Sequence, residues 1–395
     1  MEVVAIGVVR HGHFSCVGRR EVREHEGAVD KLWAETVHCF NAMFYGIHPE
    51  RDAMGEPFAN QDGEDARLTG APLCRGIRFV AWIKTGDLDW LCNHLGYPHF
   101  NSNHPCWFDD VSRDQDTEYP MTDLSRGANW KTTLLDDEAG CCPCTDHVIG
   151  TIVGFTRYHT PGDLMHTGCL GVLSWFLGGV CWELVYDGPF AGGEDERCKA
   201  LFDLIRGQYA MLGTESRLTT LKTTMFKGDG FSGLKAKAAV TQHLLFALHG
   251  VCQQVSEGTD RDLHRLAAFH YLTSMYTIFK NGDMFLERAE AERALECVDA
   301  FYEHYAWLLQ YNLEKARLNY PIVPKLHMLW HIAYLSRFLN PVKTWAYEWE
   351  DFMNTLVTAA KACLAGSQMK LVGNKVMHHF FLVLDLRVRA AAGVV

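Results

Sequence analysis

Positive charge is in short supply in this sequence. Its 37 lysines and arginines face 48 aspartates and glutamates, a formal charge of −11 at neutral pH. That balance argues against broad electrostatic binding to nucleic acid, which leaves a basic footprint. A membrane span is also missing. The one segment that resembles a span, residues 168–182 (GCLGVLSWFLGGVCW), is closed by Glu183 and falls short of the roughly 20 residues a bilayer requires. It reads as a buried core helix, and no membrane partner is expected. The start, MEVVAIGVV, has no basic n-region, and the 14 cysteines follow no regular framework. Unpaired thiols in a reducing, intracellular compartment are the expectation. There is no low-complexity stretch and no repeat period, which excludes a solenoid.

What is present is the composition of a folded protein, 48% hydrophobic and 22% charged over 395 residues, long enough for several domains or one with a large insertion. Residues 2–9 (EVVAIGVV) and 77–84 (IRFVAWIK) read as strands, being β-branched and apolar. Residues 28–46 repeat apolar side chains at helical steps, and 47–71 form a polar loop. Residues 148–155 fit a strand or a helix start, and 217–226 an extended segment; 194–212, 234–255, 260–279, 283–318 and 370–388 read as helices. The expected fold class is therefore α+β, mostly helical. The organisation expected is a region 1–150 carrying the strands, a helical region 151–320, and closing helices over 321–395.

Several constellations carry chemistry. Asp87 follows the second strand and precedes a helix, with Asp89 two residues on. That is where α/β folds place ligand-facing groups, and equally where aspartate caps a helix. Asp163 and His166 lie three apart at a helix start, spaced for a cap with a histidine contact. His327 and His331 share one face of a helix, and Glu348, Glu350 and Asp351 sit among Trp345, Tyr347 and Trp349. Carboxylates against aromatic surface call for a partner, either the dipole of a helix start or a metal. Lys222, Lys227, Lys235 and Lys237 form a modest basic cluster, which reads either as solvated surface or as a contact for a phosphate backbone.

The run PKLHMLWH, the following RF and NP, and the acidic WEDF resemble the C-terminal part of cut-and-paste DNA transposases with an RNase H-like catalytic domain, closest to CACTA and related eukaryotic families. The segment around Gly86-Asp87 with Pro105-Cys106, and the segment DLMH followed by LGV, resemble further blocks of the same families. The similarity spans residues 35–385 and is dense at 71–108, 160–173 and 321–363. It implies a partial RNase H-like core interrupted by a helical insertion. The implied activity is metal-dependent cleavage and transfer of DNA strands, with Asp87 as the second acid and Glu350, or else Glu348, as the last. Asp89, Asp163, His166, His327 and His331 are implied as supporting groups. Mg²⁺ or Mn²⁺ would be the cofactor, DNA the partner and the nucleus the site of action.

Two departures weaken that implication. The opening strand holds no aspartate for the first acid, so the chain is expected to be incomplete or domesticated. The family's Pro-Cys commonly has a second cysteine shortly after it, whereas here Trp107, Phe108 and Asp109 follow Cys106. A zinc site built from Cys106, His94, His99, His104 and the Cys141, Cys142, Cys144 group is disfavoured, because adjacent cysteines lack separate approach directions. Zinc is therefore not expected. Two further readings stand beside the transposase-like one. One is a non-catalytic scaffold or a remnant that binds DNA or protein. The other is a metal-dependent hydrolase centred on His327 and His331, although the glutamate of H-E-x-x-H is absent.

Overall fold

The computed structural model describes residues 8–9, 26–58, 63–81, 83–135, 147–228, 230–347, 357–358 and 361. Of the described residues 57% are helical and 3% strand, a mostly helical composition, as the patterning implies. Residues 1–9 and 15–345 form one compact unit, and residues 10–14 with 346–395 form another, of which five residues are described. The elements of the first unit carry the site.

Strand β1 (Val8–Val9) pairs in parallel with β2 (Ile83–Lys84), with Val8 opposite Ile83 and Val9 opposite Lys84. The second strand is shorter than its sequence predicts. The Phe79 amide donates to the Met43 carbonyl at the end of α1 (Glu26–Tyr45), at 3.0 Å, so the residues before Ile83 hydrogen-bond to a helix end. Helix α1 buries Trp33 and Val37, one turn apart. A short helix, α2 (Glu64–Leu68), interrupts the polar loop. Past β2 the chain enters α3 (Leu88–Leu95), which is closed by Gly96 in the left-handed conformation at φ 72°.

The helical block begins with a π-helical stretch, Met165–Val172, that runs into α4 (Leu173–Tyr186). Together they make a 22-residue helix, long and apolar enough to span a bilayer, whose 18-residue window of mean hydropathy 1.5 is 78% buried within the protein. Its apolarity therefore faces neighbouring helices. At Gly178 a Cβ would stand 2.7 Å from the Gly233 Cα and the Leu234 amide. Only glycine permits that approach, which lets Ser174 exchange hydrogen bonds with Leu234, its carbonyl accepting at 2.8 Å and its hydroxyl donating at 2.7 Å. Four helices follow: α5 (Glu194–Leu212), α6 (Ala238–Val255), α7 (Asp260–Asn281) and α8 (Arg288–Leu313). The segments 148–155 and 217–226 form no strand, each holding a 3₁₀ turn, Val148–Thr151 and Thr223–Met225.

A buried polar network ties α4, α7 and α8 together. Glu183 accepts from Arg265 Nη1 at 3.4 Å and from Asn312 Nδ2 at 2.9 Å. Arg265 Nη2 reaches Asp262 at 2.5 Å, and Asn319 donates to Asn312 at 2.9 Å. Helix α9 (Pro324–Leu335) then returns to the front of the chain, with proline in its first turn, where the missing N–H costs nothing. Just past it, the buried Asn340 amide donates to the carbonyls of Phe279 (2.8 Å) and Asp283 (3.0 Å) at the α7–α8 corner. The Thr85 hydroxyl donates to the Thr344 carbonyl at 3.3 Å, joining the end of β2 to this closing segment.

Candidate metal centre

The centre is built from one turn of loop and one turn of helix. The loop Pro105-Cys106-Trp107-Phe108-Asp109 is buried throughout, and hydrogen bonds fix its course. Trp107 donates from Nε1 to the Thr160 carbonyl at 3.2 Å and accepts at its own carbonyl from Arg157 at 3.1 Å. The Phe108 carbonyl accepts from Leu135 at 2.8 Å. These bonds aim Cys106 and Asp109 at the same point. Asp109 Oδ1 accepts from the Val111 amide at 3.1 Å, which leaves Oδ2 for α9.

Helix α9 supplies His327 and His331, one turn apart on one face. Asp109 Oδ2 lies 3.2 Å from His327 Nε2 and 3.0 Å from His331 Nε2. The two Nε2 atoms are 3.0 Å apart, and Cys106 Sγ lies 3.4 Å from His331 Nε2. All four donor atoms fall within 4.8 Å of one another. A tetrahedral zinc ion, with Zn–N and Zn–O near 2.0–2.1 Å and Zn–S near 2.3 Å, demands edges of about 3.3 Å between nitrogen or oxygen donors and about 3.5 Å between sulfur and nitrogen. The four separations given above match those edges to within a few tenths of an ångström. Thiolate, two imidazoles and one carboxylate form a donor set for zinc rather than for Mg²⁺ or Mn²⁺, which require oxygen.

The electrostatics agree with a cation at the meeting point. Burial alone would raise the Asp109 carboxyl, but the imidazoles of His327 and His331 and their hydrogen bonds hold it well below the usual carboxylate range. Burial, and then the Asp109 charge, push the Cys106 thiol far up; a bound divalent ion reverses that order and takes the thiolate. Burial lowers His331 despite Asp109 beside it, which favours the neutral ring that ligates metal. Both Nδ1 atoms are buried and have no hydrogen-bond partner among the described residues. Aromatic contacts hold the rings instead, Trp130 against His327 at 4.4 Å and Phe108 against His331 at 4.7 Å between centroids.

The residues singled out in the sequence fall into three groups. His327 and His331 belong to this cluster together with Asp109, which the sequence does not single out. The sequence offered the spacing C-x-x-D and H-x-x-x-H, with aspartate where a zinc knuckle has cysteine. His94 and His104 are exposed and His99 stacks on Phe100, so these three histidines do not join Cys106. Cys141, Cys142 and Cys144 lie outside the described residues, as do Glu348, Glu350 and Asp351.

A second group gathers near Lys325. Asp87 caps α3, its Oδ1 accepting from the Trp90 amide at 2.6 Å, while exposed Asp89 accepts from Asn93 at 3.0 Å. Asp163, with its side chain fully buried, accepts from both the His166 amide (2.8 Å) and His166 Nδ1 (2.7 Å). Burial lowers the Lys325 ammonium, and Asp87 and Asp163 oppose that shift. The lysine stem packs on Gly171 in the π-helical stretch, where a Cβ would stand 2.4 Å from its Cδ. Lys222, Lys227, Lys235 and Lys237 make up the third group and are all exposed. Lys227 pairs with Glu194 at 3.5 Å.

Comparison of the chain with protein-family models, curated proteins and solved structures finds no match.

Proposed function

We propose that this is a transposase-type protein whose core is closed by a structural zinc ion held by Cys106, Asp109, His327 and His331. One observation carries the proposal: two buried pairs of donor side chains, more than 200 residues apart in sequence, converge with all four donor atoms within 4.8 Å of one another. All four ligands are buried, so the site offers no open position to substrate, and that is the mark of a structural zinc rather than a hydrolytic one. The ion clasps the loop after α3 to helix α9, across the whole helical block.

Several features support transposase descent. Chain order runs from a parallel strand pair to Asp87, through a long helical block, and back through α9 toward Glu350. This is the order expected of an RNase H-like core with a helical insertion. Asp163 and His166 stand near Asp87 around Lys325. In this reading Asp87 and Glu350 hold Mg²⁺ or Mn²⁺, DNA is the partner, and the nucleus is the site of action. With a net charge of −11, DNA contact would be confined to local patches such as Lys222, Lys235 and Lys237.

One observation favours a second reading, a non-catalytic remnant of the same descent. The carboxylate of Asp87 is engaged in capping α3, and the Lys325 ammonium supplies Asp87 and Asp163 with the positive charge that a divalent metal would bring.

Two measurements test these readings separately. Elemental analysis of protein purified without added metal should find one zinc per chain, and none in His327→Ala or in Cys106→Ser; a wild type without zinc that also fails to take it up on refolding would refute the clasp. Calorimetry with Mn²⁺ on zinc-loaded protein addresses catalysis. Binding that disappears in Glu350→Gln and in Asp87→Asn supports a strand-transfer enzyme, and the absence of binding leaves the remnant.

A further inference from the structure

Away from the clasp, two histidines meet on the seam between α7 and α8. His264 Nδ1 and His304 Nδ1 are 3.0 Å apart, one from each helix. Both side chains are half-buried, and aromatic rings fix their planes. His264 stacks on Trp307 at 4.0 Å with 4° between planes, and His304 stacks on Tyr271 at 5.7 Å with 11°. Trp307 in turn stacks on Tyr311 at 5.2 Å. Asp260, exposed, stands four residues before His264 on the same helix, which places both on one face.

We propose that His264 and His304 form a second and open metal site that takes a divalent ion of the Cu²⁺ or Ni²⁺ class. Two imidazole nitrogens 3.0 Å apart can both reach one ion lying about 2.0–2.1 Å from each. For nitrogen donors the affinity of divalent first-row ions rises through Ni²⁺ to a maximum at Cu²⁺. The site thus differs in kind from the buried clasp, with its thiolate and its enclosed tetrahedral set. Partial burial keeps both rings readily neutral, lowering His264 against the opposing Asp260 charge, and lowering His304 together with its neighbour His264. Without metal, one ring donates its Nδ1 proton to the other. Binding moves that proton to the same ring's Nε2 and frees both Nδ1 lone pairs, with no net proton released. Water completes the coordination, because the site opens to solvent. This inference rests on α7 and α8 alone and stands apart from the transposase reading.

The test uses the full chain loaded with one equivalent of zinc, so that the clasp is filled, and Cu²⁺ as the probe. Electron paramagnetic resonance should show an axial signal with coupling to two imidazole nitrogens, and titration should quench Trp307 fluorescence. Loss of an outer-shell partner alone costs roughly 10–100-fold in metal affinity, so removal of a ligand in His264→Gln or His304→Gln should weaken binding at least tenfold. Trp307→Phe should abolish the quenching component and keep the resonance signal. A wild-type signal with one nitrogen or none, or an affinity unchanged in both histidine variants, would overturn the proposal. If a histidine variant fails to fold, the wild-type spectrum and the Trp307→Phe result still decide.

Discussion

A lysine ammonium drawn out of water loses hydration, and at Lys325 the nearby carboxylates of Asp87 and Asp163 only partly restore what burial removes. The folded protein therefore binds this proton less tightly than the unfolded chain does. In the pH window between the lowered folded value and about 10.4 the unfolded state holds more protons, so this group's contribution to stability rises with pH. Below that window the cost is fully present. Lys325→Met removes it, and the stability difference between wild type and variant should shift toward the wild type as pH rises from 8 to about 10.4. Urea unfolding across that range reads the slope; a flat difference would mean the lysine is as well solvated as in the open chain. Asp109 belongs to the same scale. Asp109→Ala should empty the clasp of zinc, while Asp109→Cys, which restores the C-x-x-C spacing, should keep it, as elemental analysis of the two variants would show.

At the scale of elements, the helical block is held by a buried charge cluster together with close helix contacts. Arg265 is 2% exposed and serves both Glu183 and Asp262. Truncating one partner of such a cluster strands the others without compensation, so Arg265→Ala should destabilise the protein by about 3–5 kcal/mol. Gly178→Ala should also destabilise, because the added methyl meets the backbone of residues 232–234. Chemical denaturation measures both.

Helices were the legible elements. The bounds of α5 coincide with the sequence expectation because three acids mark its start and Gly213, at φ 63°, marks its end. The strand read over 77–84 kept only Ile83 and Lys84, because local pattern does not reveal that Phe79 would hydrogen-bond to a helix end. The apolar run at 168–182 reads as a core helix in sequence and is one, though its π-helical opening carries no sequence mark. Of the metal centre, the histidine pair is visible at its i, i+4 spacing, and Cys106 in its Pro-Cys motif. Asp109 is not, since C-x-x-D only approximates a zinc knuckle and gains meaning when a distant helix brings histidines to it.

For the whole molecule, the proposed clasp would place the junction between the front of the chain and its returning helix under the control of one ion. Folding and binding are then coupled: a ligand bound only by the folded state stabilises it in proportion to the logarithm of its concentration over Kd. Thermal unfolding in excess chelator should fall below that of the zinc-loaded protein and recover on adding Zn²⁺, with no recovery on Mg²⁺, which lacks affinity for sulfur and nitrogen. An equal effect of the two ions would place the stabilising site among carboxylates elsewhere. The most direct measurement is X-ray absorption at the zinc edge on the loaded 395-residue chain. The account predicts a four-coordinate ion with one sulfur near 2.3 Å and three nitrogen or oxygen neighbours at about 2.0–2.1 Å. A shell without sulfur, or one of six oxygens, would contradict it.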